Sequence, residues 1–229
     1  MTSGRVGHNG RELPSRAPRR EEIATHTVGV ILEGGPTKAD LLVVDVGGGA
    51  MVVKDFAAKS RWARLLGRVQ VGREFRAYEW LGPNRGVPAL IGRVDAHALA
   101  IEKIEGEQLA LTSSQRNDGE RLVARLRLLI DRLHSKGLVH LDLRGRENLL
   151  ILPDGDLVIV DLAGAFWFRP GGLAHRLFFH LFSIADRAAI LKWKEMLAPG
   201  HFTPEEEAFM RRFRILRAFW IFNRKRPQR

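Results

Sequence analysis

The sequence contains no cysteine among its 229 residues. Disulfide bridges and thiolate-rich metal sites are therefore excluded, and a reducing compartment is the natural expectation. No apolar run approaches the roughly 20 residues that span a bilayer, and the N-terminal residues lack the apolar core of a signal peptide. We expect a cytoplasmic protein without a transmembrane segment.

Acidic residues are in short supply. The chain has 26 Asp and Glu against 37 Lys and Arg, which gives a formal net charge of +11. An excess of this size indicates a polyanionic neighbour such as nucleic acid, anionic lipid or a phosphorylated glycan. The charge alone does not choose among these partners.

Two widespread hydrolase motifs are also missing. The eight histidines are scattered without a His-Glu-x-x-His spacing, which disfavours a zinc hydrolase. No Gly-x-Ser-x-Gly elbow is present, which disfavours a hydrolase with a serine nucleophile.

The most informative stretch runs from residue 138 to residue 164. Two short apolar runs, Leu149 to Leu152 and Leu157 to Val160, flank a Pro-Asp-Gly-Asp sequence, and this pattern predicts a β-hairpin. Folding the hairpin brings the polar residues at its two ends to one edge, and these are His140, Asp142, Arg144, Asn148 and Asp161. Such a cluster of oxygen atoms suits Mg²⁺ and a phosphoryl acceptor.

This stretch resembles the catalytic loop and the metal-binding segment of the protein-kinase superfamily. The family pattern His-x-Asp-Leu, a following Asn, a hairpin and Asp-Phe-Gly is matched here by His140 to Leu143, Asn148, and Asp161 to Ala163. Two departures stand out. Asn148 comes six residues after Asp142 instead of five, where Glu147 stands, and Ala163 replaces the glycine.

The N-terminal half continues the resemblance. Apolar runs at 27–32, 41–46 and 50–56 predict three strands, and the loop between the first two contains Gly34 and Gly35, whose amides could approach phosphate. Lys54 stands where the family has its strand lysine. A helix is predicted over 61–81, with Trp62, Leu65, Leu66, Val69, Phe75, Tyr78 and Leu81 as its apolar face. Glu74 on this helix is the expected partner of Lys54, with Glu79 as the alternative.

The resemblance implies a role for each residue. Asp142 would take the proton of the acceptor hydroxyl, and Arg144 would neutralise the γ-phosphate. Lys54, paired with Glu74, would bind the α- and β-phosphates of ATP beside Gly34 and Gly35. Backbone groups between Glu102 and Ile104 would meet the adenine. Mg²⁺ would be held by Asp161 and Asn148, with Glu147 as a further ligand.

The fold class implied is α+β, a bilobal kinase-like fold. Further strands around 89–94 and 99–104 would complete a five-stranded antiparallel N-lobe over 23–104, and a reduced helical C-lobe would cover 105–229, beginning with a helix over 117–136. Residues 1–22 are basic, polar and rich in Gly and Pro, which predicts a disordered tail. Two helices are expected near the C-terminus, at 173–197 and 204–225. The second is basic and aromatic, so peripheral contact with the inner membrane face is one hypothesis for it and packing on the C-lobe is the other.

The short C-lobe and the absence of an Ala-Pro-Glu motif look most similar to the bacterial lipopolysaccharide core kinases, which phosphorylate heptose or Kdo, and more distantly to RIO-type kinases. This resemblance implies transfer of the γ-phosphate of ATP to an inner-core sugar of an anionic glycolipid. A compact Ser/Thr protein kinase that acts on a protein substrate is the alternative. A non-catalytic pseudokinase that binds ATP or a polyanion is a third reading.

Overall fold

The computed structural model describes residues 5–109 and 111–218. The chain forms an α+β fold in which a five-stranded antiparallel sheet with its helix precedes a mainly helical region. The strands of the sheet are β1 (Thr27–Leu32), β2 (Asp40–Val44), β3 (Met51–Asp55), β4 (Leu90–Arg93) and β5 (Ala98–Glu102). Their spatial order is β1-β2-β3-β5-β4, and every neighbouring pair is antiparallel. The predicted five-stranded antiparallel sheet is therefore confirmed.

The two faces of the sheet have different partners because side chains alternate along each strand. Lys54 pairs with Leu99, and Val52 pairs with Ile101. These residues belong to the inner face, where Val52, Leu99 and Ile101 join the large apolar core that continues into the helical region. The outer face carries Met51, Val53, Ala98 and Ala100, which form a second cluster with Ile23.

The outer face is covered by the segment that the sequence predicted to be a disordered tail. Residues 5–19 run as a strap that leads into helix α1 (Arg20–His26), and Leu13 and Ala17 pack on the second cluster. The prediction is wrong over residues 5–22, because a few apolar side chains among the polar ones find partners on the sheet. Residues 1–4 lie outside the described residues.

Helix α2 (Arg61–Leu81) packs against the sheet without a break at its glycines. A Cβ atom at Gly67 would lie 2.4 Å from the Phe56 ring, so the glycine permits the helix to approach β3. The buried face is Ala63, Gly67, Val71, Glu74, Ala77, Tyr78 and Leu81. The predicted apolar face is therefore wrong at the N-terminal half, where Trp62, Leu65, Leu66 and Val69 are exposed.

The helical region begins after a linking segment at residues 103–106. Its helices are α3 (Ser113–Asn117), α4 (Gly119–Ser135), α5 (His180–Leu197), preceded by a π-helical turn at His175–Phe179, and α6 (Pro204–Ala218). Its short strands are β6 (Glu107–Gln108), β7 (Leu138–Val139), β8 (Leu149–Ile151), β9 (Leu157–Ile159) and β10 (Phe166–Trp167). The predicted hairpin is confirmed as β8 and β9, which pair antiparallel.

Helix α4 is the central helix of this region, and it ends as predicted at Gly137, whose φ is +76°. The predicted C-terminal helix is present as α6 up to residue 218, and its continuation to 225 lies outside the described residues. Among the helices of the described part, none has both the length and the apolar character needed to cross a bilayer.

Candidate functional site

A buried lysine joins three elements of the fold. Lys54 projects from the inner face of β3, and its Nζ lies 2.5 Å from Glu74 Oε1 on α2 and 3.2 Å from Asp161 Oδ1 just after β9. These two contacts join residues that are 20 and 107 positions apart in the sequence. The backbone N–H of Leu162 also donates to Glu74 Oε1 at 3.4 Å. The expected pairing of Lys54 with Glu74 is therefore present in the structure.

Electrostatics keep Lys54 charged. Burial opposes the charge on its ammonium group, but the attraction of Glu74 and Asp161 outweighs this effect and raises the pKa of Lys54. Burial raises the pKa of Glu74 despite the opposing pull of Lys54. The pKa of Asp161 is lowered although burial opposes this, because Lys54 and the Ala163 N–H stabilise its carboxylate. With both carboxylates ionised, one cation faces two anions, and the cluster has a charge suited to a further cation.

A second group of polar side chains lies on the loop between β7 and β8. The amide of Asn148 donates from Nδ2 to the backbone oxygen of Asp142 at 2.7 Å and approaches Asp142 Oδ2 at 3.4 Å. Asn148 belongs to a 3₁₀ turn, Arg146–Asn148, and is buried. Asn148 lies six positions after Asp142, and the short helical turn at Arg146–Asn148 lets the two side chains meet.

The two groups are close neighbours. The backbone N–H of Val160 donates to the backbone oxygen of Asn148 at 3.1 Å, and a Cβ atom at Gly164 would lie 3.6 Å from the Cβ of Asp142. Asp142 is exposed as a residue, yet the surrounding protein partly shields its carboxyl group from water, which raises the pKa of that group, and the charge of Asp161 adds to this rise. A carboxylate with a raised pKa is a better proton acceptor than a fully solvated one.

Asp186 on α5 binds the backbone of the loop that carries Asp142. Its two carboxylate oxygens accept the backbone N–H groups of His140 and Leu141, each at 2.8 Å, and the ring of His134 lies 2.9 Å from Oδ2. Leu141 has a positive φ of 69°, which is unusual for a residue with a side chain. Asp186, at 1% exposure, therefore fixes the backbone just before Asp142.

Sequence reasoning missed Asp186. A signal was available, because Asp186 ends a stretch of 24 residues that has no other acidic residue, and it lies in an apolar helix. His140 is buried, and burial lowers the pKa of its ring despite nearby carboxylates.

Other predicted site residues are placed differently. Gly34 donates its amide to Asp40 Oδ1 at 2.8 Å, and its oxygen accepts from Lys59 at 2.8 Å. A Cβ atom there would lie 2.1 Å from the Ala39 oxygen, so the close packing of this loop requires a glycine at position 34. The Gly34 amide expected to meet phosphate is thus already engaged, while Gly35 is exposed.

Glu102 and Ile104 flank the linking segment. The Glu102 side chain points to the outer face, where it accepts the His8 and Ala89 backbone N–H groups and lies 2.8 Å from the His8 ring. The Glu102 backbone N–H also donates to the Ala89 oxygen at 2.8 Å, so neither the side chain nor the N–H of Glu102 is available for the expected adenine contact. Ile104 is half-buried in the link, and no contact of its side chain bears on its expected role.

Arg144 and Glu147 complete the predicted set. Arg144 lies two residues after Asp142, and its backbone oxygen accepts from Lys192 Nζ at 2.9 Å. Glu147 is exposed, and in residues 5–109 and 111–218 no three His, Cys, Asp or Glu side chains form a metal-binding group. Glu147 therefore does not form such a group with Asp142 and Asp161.

The fit of Mg²⁺ rests on Asp161 and Asn148. Asp161 directs Oδ1 to Lys54 and to the Ala163 N–H, and its side chain remains 42% exposed. A carboxylate oxygen and an amide oxygen are ligands that Mg²⁺ accepts, together with waters and phosphate oxygens. Asp161 and Asn148 therefore offer donor types that fit a magnesium ion.

A cavity of about 580 Å³ lies elsewhere, among α4, α5 and α6, and none of the Lys54 or Asp142 cluster lines it. The candidate site is therefore defined by its converging side chains. No protein-family model matches this chain, and the search of curated proteins finds no significant match.

Proposed function

We propose that this protein is an ATP-dependent phosphotransferase that transfers the γ-phosphate to a hydroxyl group. The observation that carries the proposal is the contact of Lys54 with both Glu74 and Asp161, beside the bonded pair of Asp142 and Asn148. A lysine held by a helix glutamate, with two carboxylates and an amide at the adjacent loops, is the arrangement that phosphoryl transfer needs for positioning and charge stabilisation.

The roles follow from the chemistry of each group. Lys54 would bind the α- and β-phosphates, and Glu74 would keep its ammonium group in place. Asp161 and Asn148 would hold Mg²⁺, which when bound neutralises charge on the phosphates. Asp142 would orient the acceptor hydroxyl and accept its proton, which its raised pKa favours. Asp186 positions the backbone before Asp142 and is not itself catalytic.

We further propose that the acceptor is a sugar of an anionic glycolipid. A chain with a net charge of +11 attracts a phosphorylated glycan. The segment from Asp161 to the π-helical turn at residue 175 is short, which leaves little chain for a platform that would hold a peptide. ATP and an anionic glycolipid are the proposed partners.

The test is transfer of label from [γ-³²P]ATP with Mg²⁺, with truncated lipopolysaccharide and delipidated lysate protein offered together to the full chain. Asp142→Asn, Asp161→Asn and Lys54→Met would be assayed beside Asp131→Asn, a control at an exposed position on α4. Label in the glycolipid that only the three site variants lose supports the proposal.

Label in protein with the same dependence would move the substrate to the protein-kinase alternative. ATP binding with no transfer dependent on Asp142 would overturn the catalytic proposal and support a pseudokinase. Binding is measured separately by calorimetry, so that a failed transfer assay can be assigned to chemistry or to nucleotide affinity.

A further inference from the structure

Helix α2 leaves a row of large apolar side chains in solvent. Trp62 is 80% exposed, and Leu65, Leu66 and Val69 are 53%, 55% and 59% exposed. Positions 62, 66, 69 and 73 follow one stripe of the helix. Contiguous apolar exposure of this kind marks an interaction surface more often than isolated exposed residues do.

A second exposed apolar surface begins where this stripe ends. Arg73 donates to the Ala165 oxygen at 3.1 Å, and its guanidinium lies 4.5 Å from the centre of the Phe166 ring. Phe166 in turn lies 5.5 Å from Phe182. The segment that follows β10 and leads into α5 exposes Leu173, Leu177, Phe178 and Leu181. Arg73 and Phe166 connect α2 with the start of this segment.

The joined surface is basic as well as apolar. Residues 56–73 and 162–185 contain no Asp or Glu, whereas they contain Lys59, Arg61, Arg64, Arg68, Arg73, Arg169 and Arg176. These two segments also hold nine of the sixteen large apolar side chains that are exposed in the described residues. We call this surface, formed by the exposed residues of 61–73 and 166–181, the basic apolar face.

Neighbouring carboxylates do little to offset this charge. Asp40 lies 2.5 Å from Lys59 and neutralises that one lysine. Beside Leu65 and Val69 a depression of about 490 Å³ is lined by Arg68, Arg73, Arg76 and Arg93, with Glu79 as its single carboxylate. Arg73 already donates to the Ala165 oxygen and Arg93 to the Asp95 oxygen, and the guanidinium groups of Arg68 and Arg76 beside them suit the phosphate of a lipid headgroup.

We propose that the basic apolar face binds the surface of an anionic phospholipid bilayer. Cationic side chains beside an exposed tryptophan and leucines are the combination that holds proteins in the headgroup region. Trp62, at the N-terminal end of α2, would sit at the level of the headgroups, where its amphipathic ring is favoured. The inference does not rest on phosphotransfer, because it uses only the exposed residues of this face.

The test is co-sedimentation of the full chain with vesicles of phosphatidylcholine alone or with roughly one third phosphatidylglycerol. Arg61→Glu with Arg64→Glu and Arg68→Glu should weaken binding to the anionic vesicles more than about a hundredfold. Trp62→Ser with Leu66→Ser should weaken it about tenfold. The matched controls lie on α4, where Leu128→Ser replaces a side chain that is 58% exposed and Arg121→Glu with Arg132→Glu reverses exposed charges.

Depth is measured through tryptophan fluorescence with brominated phosphatidylcholine in the same vesicles. Quenching should occur in the wild type and should fall strongly in Trp62→Phe, which keeps an aromatic ring at the site. A circular dichroism melt shows that each variant is folded before it is compared.

Three outcomes would overturn the inference. Unchanged binding in both face variants would place the contact elsewhere. Equal losses in the α4 controls, or losses with charge reversal only, would show general attraction to polyanions, as for nucleic acid. Conversion of a dimer to a monomer by the Trp62 and Leu66 substitutions, without vesicle binding, would show that a second copy covers the face.

Discussion

Glu74 and Asp186 are both buried carboxylates on helices, yet different groups stabilise their charges. Glu74 faces the ammonium group of Lys54, which it shares with Asp161. Asp186 is satisfied mainly by the backbone N–H groups of His140 and Leu141. Removing Asp186 would leave fixed backbone donors without a partner, whereas removing the charge of Glu74 leaves Lys54 with a second carboxylate. Asp186 should therefore matter most for stability, and Glu74 most for chemistry.

The largest expected effect follows from Asp186→Ala. A buried N–H group at His140 and a partly buried one at Leu141 lose their acceptor, and each unsatisfied group costs about 1–3 kcal/mol, so we expect the free energy of unfolding to fall by roughly 3 kcal/mol. Urea denaturation monitored by circular dichroism measures the change. Asp131→Asn, exposed on α4, should change it by less than about 0.5 kcal/mol. An equally small effect at Asp186 would contradict its assigned role.

Glu74→Gln should affect phosphate transfer much more than stability. Because Lys54 keeps its contact with Asp161, we expect the free energy of unfolding to fall by about 1 kcal/mol. Label transfer should fall about tenfold or more, since Lys54 loses the ion pair with Glu74 that fixes its ammonium group from the α2 side. Unfolding and transfer are measured on the same preparations. A loss of stability as large as that of Asp186→Ala would remove the distinction between the two carboxylates.

Glu102 is a third buried carboxylate to compare with Glu74 and Asp186. Its partner is the imidazole ring of His8, which can itself change protonation state near neutral pH. The His8 ring has an acceptor at each nitrogen, Glu102 Oε2 at 2.8 Å and the Arg85 oxygen at 2.7 Å. A neutral imidazole has one N–H donor and an imidazolium has two. Hydrogen bonding to Glu102 overcomes the effect of burial and raises the pKa of His8 above its ordinary 6.5, while His8 and backbone donors outweigh burial and lower the pKa of Glu102 below 4.5.

The strap should therefore be held most firmly between about pH 4.5 and 6.5. The contribution of His8 is complete below its unfolded pKa and is lost as the pH rises through its raised folded pKa. The contribution of Glu102 is lost as the pH falls through its lowered folded pKa. Protection of residues 5–13 from hydrogen exchange should follow this window in the wild type, and His8→Gln should flatten its alkaline side.

The change in stability at the optimum should be small, about 1 kcal/mol. His180→Gln, at an exposed position, is the control and should leave the profile unchanged. A profile that keeps its alkaline limb in His8→Gln would assign the pH dependence to another group.

Local patterns predicted much of this fold. The apolar runs that predicted strands, the Pro-Asp-Gly-Asp turn and the predicted helix over 117–136 depend on short-range signals, and the structure has a matching element at each of these places. Lys54 and Glu74 could be paired because the family resemblance supplied their spacing. Only the resemblance, and not periodicity, brought Asp161 into the same cluster.

What the sequence did not show depends on long-range packing. The backbone groups that donate to Asp186 lie 45 and 46 residues away, and Glu102, the carboxylate partner of His8, lies 94 residues away, so no local pattern reports these contacts. Periodicity also chose the wrong side of α2. Close packing of Gly67 on Phe56 favours a buried face of small residues, and hydrophobicity alone ranks such residues below Trp62 and Leu65.

The strap has a practical meaning for anyone who wishes to shorten this protein. A boundary drawn near residue 23, where the regular pattern of strands begins, would remove Leu13 and Ala17 from the outer face of the sheet. It would also remove the His8 ring and the His8 backbone N–H, which both bind the Glu102 carboxylate. A buried carboxylate that loses such partners destabilises the fold. A fragment trimmed in this way would begin with an unfinished sheet, so residues 5–22 belong inside the folding unit.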